Sequence, residues 1–327
     1  MASEAPLQRR FQTYLASVRP LSGSTWLLVF VPFVAVFLLI RLNAIAAAIA
    51  LFAVLFALLA RRSRRPNHNG SLIGFSIPGA LLILFIVLPI LNLLFTTAPS
   101  GIWAMARDRT VETALFLTVS SAAVATGISL CFGIPLGYAL AREKFAGKAV
   151  VEAIVDMPVV IPHTVAGIAL LFIFGRAGIL GAPLHSAFGI LFSDSYWGIV
   201  LAMLFVSVPF VVNQARDGFL KVDPRMEYVA RSLGASPFDA FLRVTIPLTW
   251  RSLLSGAIMT WARAVSEFGS VAVIAYYPRT INTLLFEWYN FFGYVYTKPL
   301  AALLLLVALA IFATLRAVAA TTRAEHD

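Results

Sequence analysis

Apolar residues in this chain come in long runs, separated by short stretches that carry proline, arginine and other polar residues. The runs fall at 24–41, 44–60, 73–96, 112–141, 150–175, 195–213, 252–276 and 298–318. Each is at least about as long as the 17–25 residues that cross about 30 Å of hydrocarbon at 1.5 Å per residue. The pattern predicts an all-α, polytopic transmembrane helix bundle. The first two runs are short, with Pro32 interrupting the first and Arg41 ending it. They read as a hairpin turning at Arg41-Leu42-Asn43. A secretory signal peptide is the rival, since Arg9 and Arg10 precede the first run and Ala44-Ile45-Ala46 offers a small-residue cleavage site. A polar linker from Arg61 to Gly70 follows. The expected organisation is an N-terminal tail, hairpin and basic linker over 1–70, then a core over 71–320 with six spans and a long loop at 214–251.

Composition supports lipid as the solvent: 60% of residues are apolar, 12% are charged and the mean hydropathy is +0.89. A net charge of +10 would suggest nucleic acid in a soluble protein, so the placement of the basic residues decides the matter. The 214–251 loop holds Arg216, Lys221, Arg225, Arg231, Arg243 and Arg251 and is placed in the cytoplasm by the positive-inside rule. Alternation from there puts Arg9, Arg10 and Arg19, the Arg61–Arg65 cluster, Arg142, Lys144, Lys148, Arg316 and Arg323 on the same side. Both termini are then cytoplasmic and no nucleic-acid partner is implied. The Arg61–Arg65 cluster anchors topology or also touches anionic lipid heads. Cys131, within an apolar run, reads as a small buried thiol.

Catalytic chemistry is missing from the sequence. The nearest approach to a phosphate-binding loop, Gly147-Lys148, has Arg142 where the first glycine belongs and Ala149 in place of the hydroxyl, so the chain does not itself hydrolyse ATP. His68, His163, His185 and His326 are scattered, no H-E-x-x-H or G-x-S-x-G occurs, and neither a metal nor another cofactor is expected. A membrane-embedded enzyme lacks its reactive constellation. A secondary transporter is disfavoured by the absence of a visible inverted repeat.

The cytoplasmic loop instead carries a helix pair. Asp223 is placed to cap, Pro224 to take the first helical position, and Met226, Val229, Ala230 and Leu233 to form an apolar stripe ended by Gly234. Ser236-Pro237 starts a second helix with Phe238, Phe241 and Leu242 apolar. Such a pair serves a protein partner or the chain's own cytoplasmic end.

Here the segment resembles the EAA loop of the membrane subunits of ABC importers. Gly234 and Pro247 stand at the family's spacing, Ala230 matches its second alanine, and Val244 and Ile246 stand conservatively for its Ile and Leu. Tyr228 and Val229 depart from the pattern, with Glu227 one residue before the usual glutamate. Asp156-Met157-Pro158-Val159-Val160-Ile161-Pro162-His163-Thr164-Val165-Ala166-Gly167-Ile168-Ala169-Leu170-Leu171 and Trp261-Ala262-Arg263-Ala264-Val265-Ser266-Glu267-Phe268-Gly269 resemble permeases for molybdate, tungstate and sulfate. The first stretch is most similar to the molybdate/tungstate type, and the resemblance runs from about Leu72 to Arg316. It implies the type I ABC-importer permease (MetI-like) fold, six core spans beside the N-terminal hairpin, and a homodimer in the cell membrane. It also implies two copies of an ABC ATPase, which hold the ATP and magnesium, and an extracytoplasmic oxyanion-binding protein. The transported ion is then molybdate or tungstate, with sulfate or thiosulfate as the alternative. Glu227, Ala230, Gly234 and Pro247 are its candidates for coupling to the ATPase.

Within the core, Arg263 and Glu267 are four residues apart in one span, on one face, where charge is costly unless paired or hydrated. They line the translocation path or its gate, or they lock two helices as a structural ion pair. Pro158 and Pro162 are expected to kink their span. His163 reads as an oxyanion donor or a satisfied buried histidine, and Thr164, Ala166 and Gly167 as a small face for close packing or substrate contact.

Overall fold

The structure is a computed structural model that describes residues 71–324. The N-terminal region 1–70, with its expected hairpin and linker, and His326 lie outside the described residues. Side chains are described from Leu81 to Thr314, together with Gly79. Every regular element among the described residues is helical, and the chain divides into two units between Thr97 and Ala98. The first contributes one described element, α1 (Ser71–Phe95).

The second unit runs α2 (Pro99–Ala106), α3 (Arg109–Arg142), α4 (Lys148–Val160), α5 (His163–Phe174), α6 (Gly181–Phe188) and α7 (Tyr196–Leu220). It continues with α8 (Arg225–Ser232), α9 (Pro237–Ala240), a π-helical stretch Phe241–Thr245, α10 (Ile246–Val265), α11 (Gly269–Ile274) and α12 (Ile281–Ala324). Asp108 opens α3 by accepting from the backbone N–H groups of Thr110 and Val111, as an N-cap carboxylate does.

The helices α3, α7 and α10 pack through small residues, which substitute for the missing hydrophobic drive between helices in lipid. A Cβ on Gly137 of α3 would stand 2.8 Å from Ala215 Cβ and 2.9 Å from the Val212 carbonyl oxygen, so the α3 and α7 backbones approach through it. Ala122 and Ala125 of α3, Ile199, Ala202 and Met203 of α7, and Val271 and Ile274 of α11 share one buried cluster. The buried Thr118 hydroxyl accepts from the Ile281 N–H at 2.8 Å and ties the start of α12 to α3.

Among the described residues, α3, α7 and α12 to Thr314 are each long and apolar enough to cross a bilayer, and α4 with α5 passes only as a pair. Several expected spans differ in detail. The run 150–175 is two helices meeting at 112°, because Pro162 lacks the N–H that would continue α4 and biases Ile161 to an extended conformation (φ −68°, ψ 132°). The run 252–276 breaks after Val265 and resumes at Gly269. The run 298–318 belongs to α12, which begins at Ile281 and is interrupted at Gly293 (φ 74°).

The loop 214–251 is mostly helical, since α7 extends to Leu220 and α10 follows α9 through the π-helical stretch. That stretch lies just before Pro247, where the Ile246 N–H reaches the Phe241 carbonyl instead of the usual fourth residue back. A widened turn accommodates a proline ring that would otherwise clash with the preceding turn. Cys131, expected to be buried, is exposed beside the exposed Phe132. An apolar run in a membrane protein marks a lipid-facing or partner-facing surface as readily as a core.

Candidate functional site

Two polar clusters form in this helical frame, one within the core and one at the end that carries α8 and α9. The first joins the two stretches singled out in the core. Arg263 lies in the last turn of α10, and Glu267 lies in the break between α10 and α11, past the helix end instead of within one continuous span. Arg263 Nη2 donates to Glu267 Oε2 at 2.7 Å and to His163 Nε2 at 2.8 Å. A guanidinium has only donors, so the nearer ring nitrogen of His163, Nε2, accepts from it, while Nδ1 lies 3.9 Å from Glu267 Oε2.

Glu267 is 1% exposed yet fully engaged, because its Oε1 also accepts from the backbone N–H and the hydroxyl of Ser270, each at 2.8 Å. The carboxylate therefore caps α11 while neutralising Arg263. Asn282 completes the joint from the first turn of α12, donating to the carbonyls of Val265 (2.9 Å) and Glu267 (3.1 Å). Those carbonyls would otherwise be unpaired at the end of α10.

The two halves meet without spacing. A Cβ on Gly269 would stand 2.8 Å from His163 Cβ, and one on Gly167 would stand 2.8 Å from the Ser270 carbonyl oxygen and from Val273 Cβ. Of the expected small face, Ala166 and Gly167 are buried in this contact. Thr164 is exposed, although its backbone N lies 3.3 Å from where a Cβ on Gly269 would stand. Pro162 caps α5, its carbonyl accepting from the Ala166 N–H, and is itself exposed at the break. His163 is 39% exposed, so the cluster has one open side on which an imidazole and a partly covered guanidinium are presented.

The second cluster holds the coupling candidates. Asp223 Oδ1 accepts from the Arg225 N–H at 2.9 Å, and α8 starts at Arg225, one residue later than the sequence suggests. Its C-terminus is a Schellman turn: the Ala235 N–H reaches the Ala230 carbonyl, the Gly234 N–H reaches that of Arg231, and Gly234 takes φ +98°. Ala230 and Gly234 are thus two ends of one stop signal. Ser236 opens α9 by accepting from the Asp239 N–H at 3.0 Å and donating to Asp239 Oδ2 at 2.5 Å, and that hydroxyl lowers the Asp239 pKa.

Met226, Tyr228, Val229, Leu233 and Phe238 are exposed, so the apolar stripe expected of α8 faces out of the chain. Glu227 faces in. Its side chain is 12% exposed and receives Arg142 Nη2 at 2.7 Å, Arg142 Nε at 3.0 Å and the Tyr138 hydroxyl at 2.6 Å. Burial pushes its pKa upward, but the bonds from Tyr138 and Arg142 outweigh burial and hold it below the usual carboxylate range. Pro247 is the second residue of α10, directly after the π-helical stretch.

The sequence alone does not single out Arg142, Tyr138, Ser270 and Asn282 as partners. Arg142 counts there among the basic residues of an inner loop, yet it is the last residue of α3. A lone glutamate in a strongly basic loop is the available signal that an arginine is recruited to it. Among the described residues no group of metal-ligating side chains comes together.

Residues 133–324 match the family described as binding-protein-dependent transport system inner membrane component. Over 245 residues the chain is 44% identical to the molybdate/tungstate transport system permease protein WtpB of Thermococcus kodakarensis, an alignment spanning 74% of this chain and 93% of that protein. The protein of the same name from Pyrococcus furiosus is 45% identical over 241 residues, spanning 73% of this chain and 91% of its own. In fold, the chain is similar to a bacterial ABC transporter involved in the import of the acidic polysaccharide alginate, with a TM-score of 0.59 at 16% identity over 81% of this chain and 99% of that one.

Proposed function

The chain belongs to the family of binding-protein-dependent transport system inner membrane components, multi-pass permease subunits that are not themselves enzymes, and we propose that it forms the transmembrane pathway of an ABC importer for molybdate or tungstate. The observation that carries the substrate is the 44% identity to a molybdate/tungstate permease across 93% of that protein's length. In this reading two copies of the chain, each with a core over residues 71–320 and cytoplasmic termini, stand beside two ATPase subunits and receive the oxyanion from an external binding protein.

The α8–α9 pair is the coupling element, the counterpart of the EAA loop. Its outward Met226, Val229, Leu233 and Phe238 suit a groove on a protein partner, because an apolar face of this kind is stable only when covered. ATP-driven closure of the ATPases draws the two copies of residues 224–241 together and opens the pathway outward; hydrolysis resets it inward. ATP and magnesium belong to the ATPase.

The His163–Arg263–Glu267 cluster is placed at the gate, with Pro162 and Thr164 beside it. Neutralising Arg263 with Glu267 leaves a weakly charged surface. An unpaired cation would hold a dianion in place, and a pathway must also release it. The break at Ile161–Pro162 bends the chain at the gate, between α4 and α5.

Titration calorimetry of the cognate binding protein with molybdate, tungstate and sulfate, then ATPase stimulation in proteoliposomes of the full complex, tests the reading. Tight molybdate or tungstate binding with stimulated hydrolysis is expected. Binding of sulfate alone moves the substrate to sulfate or thiosulfate. Uptake that proceeds without the ATPase subunit returns the chain to the secondary transporters.

A further inference from the structure

Helix α8 is eight residues long and buries none of them fully, so its own apolar contacts do little to fix it on the body of the chain. Its inward-facing ionic contact is Glu227, and the partner of that carboxylate is the terminal residue of a 34-residue helix, α3. The Arg142 guanidinium does more than pair. While Nε and Nη2 hold Glu227 of α8, Nη1 donates at 3.0 Å to the carbonyl of Phe219, in the last turn of α7. One planar fork thus joins the ends of α3, α7 and α8, an arrangement that a lysine's point charge cannot reproduce.

Tyr138, one turn before Arg142, closes the other side. Its hydroxyl binds the second oxygen of Glu227, and its ring packs edge-on against Phe219 (5.4 Å, 89°) and against Phe241 (4.8 Å, 65°) at the start of the π-helical stretch. Both ends of the helix pair therefore close on neighbouring residues of α3.

We propose that Tyr138, Arg142 and Glu227 form a rigid joint that carries displacement of the α8–α9 pair into α3 and α7, with Arg142 and Tyr138 as positioning residues for coupling. The inference rests on the reading of α8–α9 as the ATPase-docking element. The side-chain pair is mostly shielded from water, at 11% and 12% exposure, so α8 cannot move alone without stranding both charges. Glu227 is turned inward and holds the joint, which leaves docking to the exposed apolar side chains.

The test compares Arg142→Gln, Glu227→Gln and Tyr138→Phe in the complete complex, reconstituted with its ATPase and binding protein. Three quantities are read: co-purification of the ATPase, ATP turnover, and oxyanion uptake per ATP hydrolysed. The expected result is assembled complex and continuing ATP turnover, with uptake per ATP lowered by about tenfold or more in the first two variants and less in Tyr138→Phe, which loses one bond to the carboxylate. If Arg142→Gln or Glu227→Gln does not assemble, Arg142→Lys, which keeps the charge and loses the fork, is read by the same ratio. Uptake per ATP at the wild-type value in assembled variants overturns the joint. So does a fall in uptake that only follows a fall in ATP turnover, since that describes a structural contact. A wild-type complex whose uptake ignores the ATPase would instead overturn the importer reading itself.

Discussion

Arg263 and Glu267 form a 2.7 Å ion pair although the helix that carries Arg263 ends between them. The pair therefore bridges the break between α10 and α11 instead of decorating one helical face. Replacing Glu267 by Gln strands a mostly covered guanidinium and removes the charge that caps α11; loss of one member of such a pair costs about 3–5 kcal/mol. Glu267→Gln is expected to lower the detergent-phase Tm and the membrane level. The double variant Arg263→Gln/Glu267→Gln leaves no stranded charge, and its level should recover while uptake does not. Normal uptake by the double variant at normal level would remove the pair from the gate and leave it as a helix lock.

The contact between Gly167 and Ser270 gives a second expectation. A methyl group there lies 2.8 Å from a backbone oxygen, which cannot swing aside as a flexible side chain would. Gly167→Ala must push α5 from α11, and overpacking of this kind costs about 1–3 kcal/mol. Thermal unfolding should show the loss. Thr164→Ala, at an exposed position just before it, should leave stability within about 0.5 kcal/mol.

Both cases turn on helix breaks and contacts that a linear pattern of apolar residues does not encode. Helical class and membrane setting are legible from run length, because bilayer thickness imposes it. The stop at Gly234 is legible because a left-handed residue after an apolar stripe has few chemical solutions. Pro162 marks the break at Ile161–Pro162 in the sequence, but the break at Ser266–Phe268 is harder to place, since no proline stands there and Arg263 with Glu267 reads equally as a pair on one face of a continuous helix. Partners distant in sequence, Arg142 for Glu227 and Asn282 for the end of α10, leave no periodic trace. The outward turn of Met226, Val229 and Leu233 is equally hidden, because a stripe at helical spacing shows which residues share a face and not whether that face is covered.

The inward carboxylate carries a pH dependence with a definite sign. Glu227 has a lowered pKa in the folded chain, so its contribution is fully present above the ordinary glutamate value of about 4.3 and is lost as pH falls through the lower folded value. Attachment of α8 should thus be constant from neutral pH to about 5 and loosen in stronger acid. A spin label at Leu233→Cys in a Cys131→Ser background should gain mobility only in that acid range. In Glu227→Gln the label should be mobile at every pH, and a Glu227→Gln protein that keeps the acid transition would assign it to another group.

The outward face makes the last expectation separable from stability. Leu233 is 84% exposed, so it contributes almost nothing to the fold of the isolated chain, and exposed substitutions of this kind usually change stability by under about 0.5 kcal/mol. Covering it in a partner's groove changes that, since a buried leucine contributes about 1.5–3 kcal/mol. An aspartate in its place adds the cost of a charge without a partner. Leu233→Asp is therefore expected to leave the Tm of the purified chain unchanged and to weaken ATPase binding by at least about tenfold, measured by titration of the ATPase onto the detergent-solubilised permease. Arg231→Ala, two residues earlier and also exposed, tests the neighbouring surface under the same conditions. Equal affinity in Leu233→Asp and the wild type would mean that the apolar face of α8 is not where the ATPase sits, and would place docking on α9 around Phe238 instead.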